Sequence, residues 1–221
     1  MCYHASFNFP AFVLVFGEED WPKFQTLYHK LSKMQDSKIK KTLASSIHEL
    51  AKILGPKYTE HDLLPVLERF LNDKETAVKS AAFKNLHIFL KEVSPDKRQV
   101  FIKYIFQLMS DIRGAPSPDY MFQLTGQKAV KSDWRLKVLL AQNLGNYASL
   151  FDAKTVYSDF LPMFFMFLAD NVVRVGQEAA PALVEFIQKF NDDEIKQAGI
   201  VRVVRNRYFK SKTYKKRQFF V

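Results

Sequence analysis

The chain has 221 residues, of which 48% are hydrophobic and 14% aromatic, a composition that can bury a sizeable core and excludes an intrinsically disordered protein. The net charge at pH 7 is +10, and the low counts of 7 glycines and 9 prolines argue against a loop-rich β-fold. The single cysteine, Cys2, excludes an internal disulfide and predicts a reducing compartment. The apolar run at residues 9–16 is too short to span a bilayer and lacks the flanks of a signal peptide. We therefore expect a soluble protein of the cytoplasm, with the nucleus as a second location.

A hydrophobic residue followed by a basic residue opens five of the predicted helices. The five pairs are Ile39-Lys40, Val78-Lys79, Trp134-Arg135, Val173-Arg174 and Tyr214-Lys215, at intervals of 39, 56, 39 and 41 residues. A period near 40 residues is typical of solenoids built from two-helix repeats. Such a fold presents a long surface without an enclosed pocket, so the period favours a binding function over a catalytic one.

The predicted helices alternate in pairs along the chain. Asp20 and Pro22 begin one helix, whose expected apolar face is Phe24, Leu27, Tyr28 and Leu31. Asp36 caps the next, which ends before Gly55 and whose expected inward residues are Ile39, Leu43, Ile47, Leu50 and Leu54. Further helices are expected over residues 59–71, 74–93, 94–108, 134–150, 153–168 and 172–190, with a last one from 194 to 209.

Residues 114–131 interrupt the helical pattern. Their glycines and prolines predict a loop insertion, which lengthens one repeat interval to 56 residues. The loop holds Ser117-Pro118, a candidate phosphorylation site, and four apolar residues, Tyr120, Met121, Phe122 and Leu124. These four are either a docking motif or a patch that folds back onto the helices, and we prefer the second interpretation because exposed aromatic residues at this density are unusual.

No catalytic or metal-binding pattern stands out. The five histidines, His4, His29, His48, His61 and His87, have no partners at metal-ligand spacing. His48 and His87 each lie nine residues after the hydrophobic residue of their repeat, so they occupy equivalent positions on neighbouring helices. A shared metal is one interpretation, but a position on the helix surface set by the repeat is favoured. His61-Asp62 is interpreted as a first-turn pair in which the acidic group favours the helix dipole.

The basic residue of each repeated pair has two interpretations. Lys40, Lys79, Arg135 and Arg174 can form a charged ladder with acidic residues of adjacent repeats, such as Asp36, Asp73 or Asp170, or they can meet an acidic partner. The ladder is favoured for the lysines. The alternatives are nearly even for Arg135, since it follows Trp134 and both residue types are common binding anchors. Trp134 itself is more simply explained as a core residue between repeats.

The positive charge is concentrated at the C-terminal end. Residues 196–221 contain nine basic residues and no acidic one, so the other 195 residues carry only +1. Aromatic residues alternate with these cations, as on a surface that binds single-stranded nucleic acid. An apolar helical stripe at Ile200, Val201, Val204 and Tyr208 favours a solvated helix face or an acidic protein partner instead.

Six short segments follow one another in a distinctive order: residues 41–55 (KTLASSIHELAKILG), 62–66 (DLLPV), 70–71, 85–90 (NLHIFL), 96–98 (DKR) and 133–135 (DWR). With these segments the chain resembles the phosphatase 4 regulatory subunit 1 family of HEAT-repeat proteins, and the resemblance covers roughly residues 7–221. It implies a non-catalytic subunit without a cofactor that binds a phosphatase 4-type catalytic subunit and protein substrates. By likeness to the related phosphatase 2A scaffold, it also implies docking on the turns between helices, at Trp134, Arg135, Arg174, Tyr214 and Lys215. The insertion at 114–131, directly before Trp134, departs from the family pattern.

These observations together predict an all-α fold, an α-solenoid of HEAT repeats. We expect about four complete repeats with partial ones at both ends, arranged as a single solenoid segment over residues 1–221. The alternative function is that of a HEAT-repeat adaptor in transport or nucleic-acid binding through the basic C-terminal surface.

Overall fold

The structure is a computed structural model that describes residues 2–113, 134–189, 202 and 205. Over these ranges it contains helices and no β-strand, so the predicted all-α fold class is confirmed. The chain divides into two compact units, residues 1–98 and 99–221, and each is described by itself. No helix in the described ranges has the length and apolar character needed to cross a membrane.

The first unit is built around one long helix. Its elements are α1 (Cys2–Phe16), α2 (Trp21–Ser32), α3 (Ser37–Tyr58), a π-helical turn (Thr59–Leu63), α4 (Leu64–Leu71), α5 (Thr76–Lys84) and α6 (Leu86–Lys91). Helix α3 packs against α1, α2, α5 and α6, and it buries Ile39, Leu43, Ile47, Leu50 and Leu54 as the periodicity predicts. These helices therefore stack side by side on a shared apolar core.

Two backbone breaks shape this unit. Gly55 has a φ of 67°, a left-handed conformation that favours glycine, and it kinks α3 at the point where the sequence predicts the helix to end. Asn85 has a φ of −118° and a ψ of 18°, so the helix expected over residues 74–93 is instead two helices, α5 and α6. The expected apolar face of α2 is corrected at Leu27, which is exposed, while Trp21 is buried in its place.

The second unit repeats this design. Helix α7 (Pro95–Arg113) crosses the boundary between the units, and it is followed by α8 (Trp134–Leu150), α9 (Ala153–Thr155), a second π-helical turn (Val156–Phe160), α10 (Leu161–Leu168), α11 (Val173–Ala179) and α12 (Ala182–Lys189). Helix α8 packs against α11 and α12, and α10 packs against α11. The single helix expected over residues 172–190 is interrupted at Ala180 and Pro181.

The two units share an arrangement that recurs after 97 residues. The π-helical turns begin at Thr59 and Val156, and the helices that follow begin with Leu64-Pro65 and Leu161-Pro162. The same five positions are buried in each copy: Leu63, Val66, Leu67, Phe70 and Leu71 in the first unit, and Phe160, Met163, Phe164, Phe167 and Leu168 in the second. The described part of each unit therefore contains a π-helical turn followed by a helix with the same buried positions.

A partly buried ion pair recurs at the same offset. The Lys40 Nζ lies 2.6 Å from the Asp73 Oδ2, and the Lys137 Nζ lies 2.8 Å from the Asp170 Oδ2. The other oxygen of each aspartate accepts a hydrogen bond from a backbone N–H two residues later, at Glu75 and Val172. The ladder expected between neighbouring helices is present at Lys40, but in the second unit its cation is Lys137 rather than Arg135.

The expected repeat register is corrected by two residues in the second unit. The buried hydrophobic residue is the third of its helix in every case, at Ile39, Val78, Leu136 and Val175. The expected Trp134-Arg135 and Val173-Arg174 pairs instead occupy the first two positions of α8 and α11. The number of HEAT repeats and the single continuous segment stay predictions, and the insertion at 114–131 lies outside the described residues.

Candidate protein-binding site

The first turn of α8 exposes an aromatic residue and a cation that contact each other. Trp134 is 41% exposed, and the Arg135 Cζ lies 4.8 Å from the centroid of the indole ring. This separation is that of a cation–π contact. The contact orients the guanidinium over the ring, so both side chains present a joint surface to solvent. Trp134 is therefore not the core residue that its sequence position favours.

The first turn of α11 carries a similar pair. Val173 is 38% exposed, and the Arg174 side chain is exposed with its Nε 3.4 Å from the Glu178 Oε1, one turn further along the helix. This is an exposed ion pair within one helix, and it adds little to stability. The Arg174 guanidinium is therefore available to a partner at small cost.

The two first turns belong to helices that pack together, and the Lys137–Asp170 ion pair connects them. Lys137 lies one turn into α8, and Asp170 lies directly before α11, so the pair fixes the start of one helix relative to the other. We call Trp134, Arg135, Val173 and Arg174 the first-turn surface. The equivalent positions of the first unit hold Ser37, Lys38, Thr76 and Ala77. They offer neither a large apolar side chain nor an arginine. The combination of apolar and arginine side chains is thus a property of the second unit alone.

The chain is similar to known proteins over most of its length. Residues 5–108 match the family model of the protein phosphatase 4 regulatory subunit 1 middle domain. The chain is also 30% identical, over 188 residues, to the serine/threonine-protein phosphatase 4 regulatory subunits 1 of Homo sapiens, Mus musculus and Rattus norvegicus. The chain is a phosphatase 4 regulatory subunit 1-like protein. The predicted resemblance is confirmed.

The match to the regulatory subunit 1 proteins covers most of this chain but a small part of each relative. It covers 85% of this chain but only 18% of each of the three relatives. The relatives are named as regulatory subunits. Two of the expected docking residues, Tyr214 and Lys215, lie outside the described residues. The other three, Trp134, Arg135 and Arg174, lie in the first turns of two helices that pack together.

The two equivalent histidines are less exposed than expected. His48 is 8% exposed, so its assignment to the helix surface is wrong, and its Nε2 lies 2.7 Å from the Glu49 Oε1. Burial lowers the pKa of both His48 and His87, and Lys91 lowers that of His87 further. Both side chains therefore favour the neutral form more than an exposed histidine does. Among the described residues, no group of three or more histidine, cysteine or acidic side chains is placed to hold a metal ion.

Asp62 is a buried hydrogen-bond acceptor, a role that the sequence did not reveal. It is 3% exposed, and its carboxylate accepts hydrogen bonds from the Trp21 Nε1 at 2.6 Å and the Gln25 Nε2 at 2.7 Å, with the His61 Nδ1 also in contact. The expected first-turn pair with His61 exists, but the main partners of Asp62 lie on α2. Its role is to attach α2 to the turn before α4, since each of its oxygens accepts a hydrogen bond from a side chain of α2.

Proposed function

We propose that this chain is a non-catalytic regulatory segment that binds a phosphatase 4-type catalytic subunit and holds protein substrates near it. The observation that carries the proposal is the exposure of Trp134 with Arg135 stacked on it, in a chain similar to phosphatase 4 regulatory subunits. Tryptophan and arginine are the residue types most enriched among binding hot spots. A regulator of this kind acts by raising the effective concentration of substrate near the catalytic subunit. The proposed location is the cytoplasm, with the nucleus as an alternative.

The first-turn surface has the physical features of an anchor. The indole offers a large, rigid apolar area, and Arg135 needs little further ordering because the ring already positions it. Arg174 adds a second cation on the neighbouring helix, and the Lys137–Asp170 pair keeps the two turns in place. Acidic side chains on a partner, arranged around an apolar pocket for the indole, would complement this surface.

The double substitution Trp134→Ala with Arg135→Glu tests the proposal. We expect the affinity for a purified phosphatase 4-type catalytic subunit to fall at least about tenfold, since a hot-spot residue contributes roughly 2 kcal/mol or more. The fold should be preserved, because both side chains are exposed and an acidic residue in the first turn suits the helix dipole. Affinity is measured by biolayer interferometry, and helical content by circular dichroism.

A matched control changes the same chemistry elsewhere on the unit. Val184→Ala with Lys154→Glu alters one exposed apolar residue and one exposed cation away from the first turns of α8 and α11. This control should bind like the unaltered chain. Full binding by the Trp134/Arg135 variant would remove the first-turn surface from the interface, and an equal loss in both variants would show a general charge effect.

A further inference from the structure

A basic pocket lies on the first unit, whereas the first-turn surface belongs to the second unit. It has a volume of about 510 Å³ and is formed by α2 and α4, with the described lining residues Thr26, His29, Lys30, Lys33, Pro65 and Arg69. Three of these six side chains are permanent cations at neutral pH and none is acidic. The volume lies within the range of pockets that bind small ligands or single side chains of a partner.

One of the cations is held in place before any ligand arrives. The Arg69 Nη2 donates a hydrogen bond to the Ser32 Oγ at 2.9 Å, and that hydroxyl donates to the His29 carbonyl oxygen at 2.9 Å. Ser32 is buried, so this chain of hydrogen bonds rests on the core of α2. The remaining guanidinium N–H groups of Arg69 keep the fork geometry that binds two oxygens of one anion.

The positive charge of the pocket is not neutralised by neighbouring carboxylates. In the described ranges, no carboxylate oxygen lies within 4 Å of the charged nitrogens of Lys30, Lys33 or Arg69. Burial lowers the pKa of His29, and Arg69 and Lys33 lower it further, whereas Asp62 opposes them. Asp62 offsets this positive charge only in part, because it is one carboxylate against three cations and its hydrogen-bond donors, Trp21 and Gln25, are uncharged.

Comparison with the second unit shows that the repeat does not require this charge. The residues equivalent to Pro65 and Arg69, 97 positions later, are Pro162 and Met166. They line a pocket of about 550 Å³ whose other described residues are Tyr157, Leu161, Phe165 and Ala169. The equivalent positions of α10 therefore line an apolar pocket. The repeat therefore does not require a cation at the position of Arg69.

We infer that the pocket binds a phosphorylated segment of a protein, with the phosphate between Arg69, Lys30 and Lys33. A phosphate monoester carries close to two negative charges and three acceptor oxygens, which matches one fixed guanidinium and two mobile ammonium groups better than a single carboxylate does. The choice of a phosphorylated protein rests on the proposed function, since the substrates of a serine/threonine phosphatase carry such groups. In that role the pocket would retain a substrate or a phosphorylated partner on the regulator.

The test uses the purified chain and three fluorescein-labelled glycine-rich peptides that differ only at the central residue: phosphoserine, glutamate or serine. We expect the phosphoserine peptide to bind at least about tenfold more tightly than the other two, because its hydrogen bonds to cations are charge-assisted. Lys33→Glu with Arg69→Glu should remove that preference. The control Lys41→Glu, an exposed cation on α3, should keep it. Equal binding of all three peptides, or an unchanged preference in the Lys33/Arg69 variant, would overturn the inference.

Binding of the catalytic subunit separates this inference from the proposed function. The Lys33/Arg69 variant should still bind the catalytic subunit, since both residues lie on a different unit from the first-turn surface. An unaltered chain that binds the catalytic subunit without any phosphoserine preference would refute the pocket assignment alone. A chain that prefers phosphoserine but never binds the catalytic subunit would refute the proposed function and leave the pocket assignment supported.

Discussion

At the scale of single residues, Asp62 shows how a buried charge is tolerated. Its carboxylate has two short hydrogen bonds from α2, so its desolvation is offset by charge-assisted contacts. We expect Asp62→Ala to lower the free energy of unfolding by about 2–4 kcal/mol, because the buried Trp21 indole N–H would lose its acceptor. Urea denaturation followed by far-UV circular dichroism measures this loss.

A double-mutant cycle assigns that cost to the hydrogen bond with Trp21. Trp21→Phe removes the donor, so the combined Trp21→Phe and Asp62→Ala variant should cost clearly less than the sum of the two single changes. Asp20→Ala serves as the control and should cost less than about 1 kcal/mol, because the ion pair of Asp20 with Lys23 lies at the protein surface. Simple additivity in the cycle would show that Asp62 and Trp21 stabilise the unit independently.

At the scale of helices, Gly145 sets how closely α8 and α12 approach. A Cβ at this position would lie 2.8 Å from the Glu185 Cγ and 3.4 Å from the Ala182 Cα. Gly145→Leu should therefore lower the free energy of unfolding by about 1–3 kcal/mol through overpacking. Gly145→Ala should stay within about 1 kcal/mol, since better helix propensity offsets its contact. Asn146→Leu, at the exposed neighbouring position, should be nearly neutral, and an equal loss there would show that leucine is harmful anywhere on this turn.

The helices were more predictable than their register. Apolar periodicity and the caps at Asp36 and Gly55 gave correct helix positions, because these signals lie within a few neighbouring residues. The predicted register of α8 was wrong because two hydrophobic–basic pairs follow each other, Trp134-Arg135 and Leu136-Lys137. The burial of Leu136 and the exposure of Trp134 show which pair belongs to the repeat. The basic pocket could not be predicted, since it brings Arg69 to a helix that ends more than 30 residues earlier in the chain.

At the scale of the whole molecule, the distribution of charge separates the two candidate functions. Nine of the cations behind the net charge of +10 lie in residues 196–221, whereas the first-turn surface has only Arg135 and Arg174. Nine phosphate contacts would give a salt slope of about −8, so a threefold rise in salt would weaken nucleic-acid binding by between about three and four orders of magnitude. A folded protein carries no comparable layer of condensed counterions, so contacts to Arg135 and Arg174 should lower the affinity for the catalytic subunit by less than about tenfold over the same rise in salt. Titrations of the catalytic subunit at about 100 and about 300 mM salt measure this salt dependence.

A fall in affinity as steep as that expected for nine phosphate contacts would move the interface to the basic C-terminal end and favour the adaptor function. A weak salt dependence in the unaltered chain, with loss of binding in the Trp134/Arg135 variant, would place the electrostatic attraction on the first-turn surface.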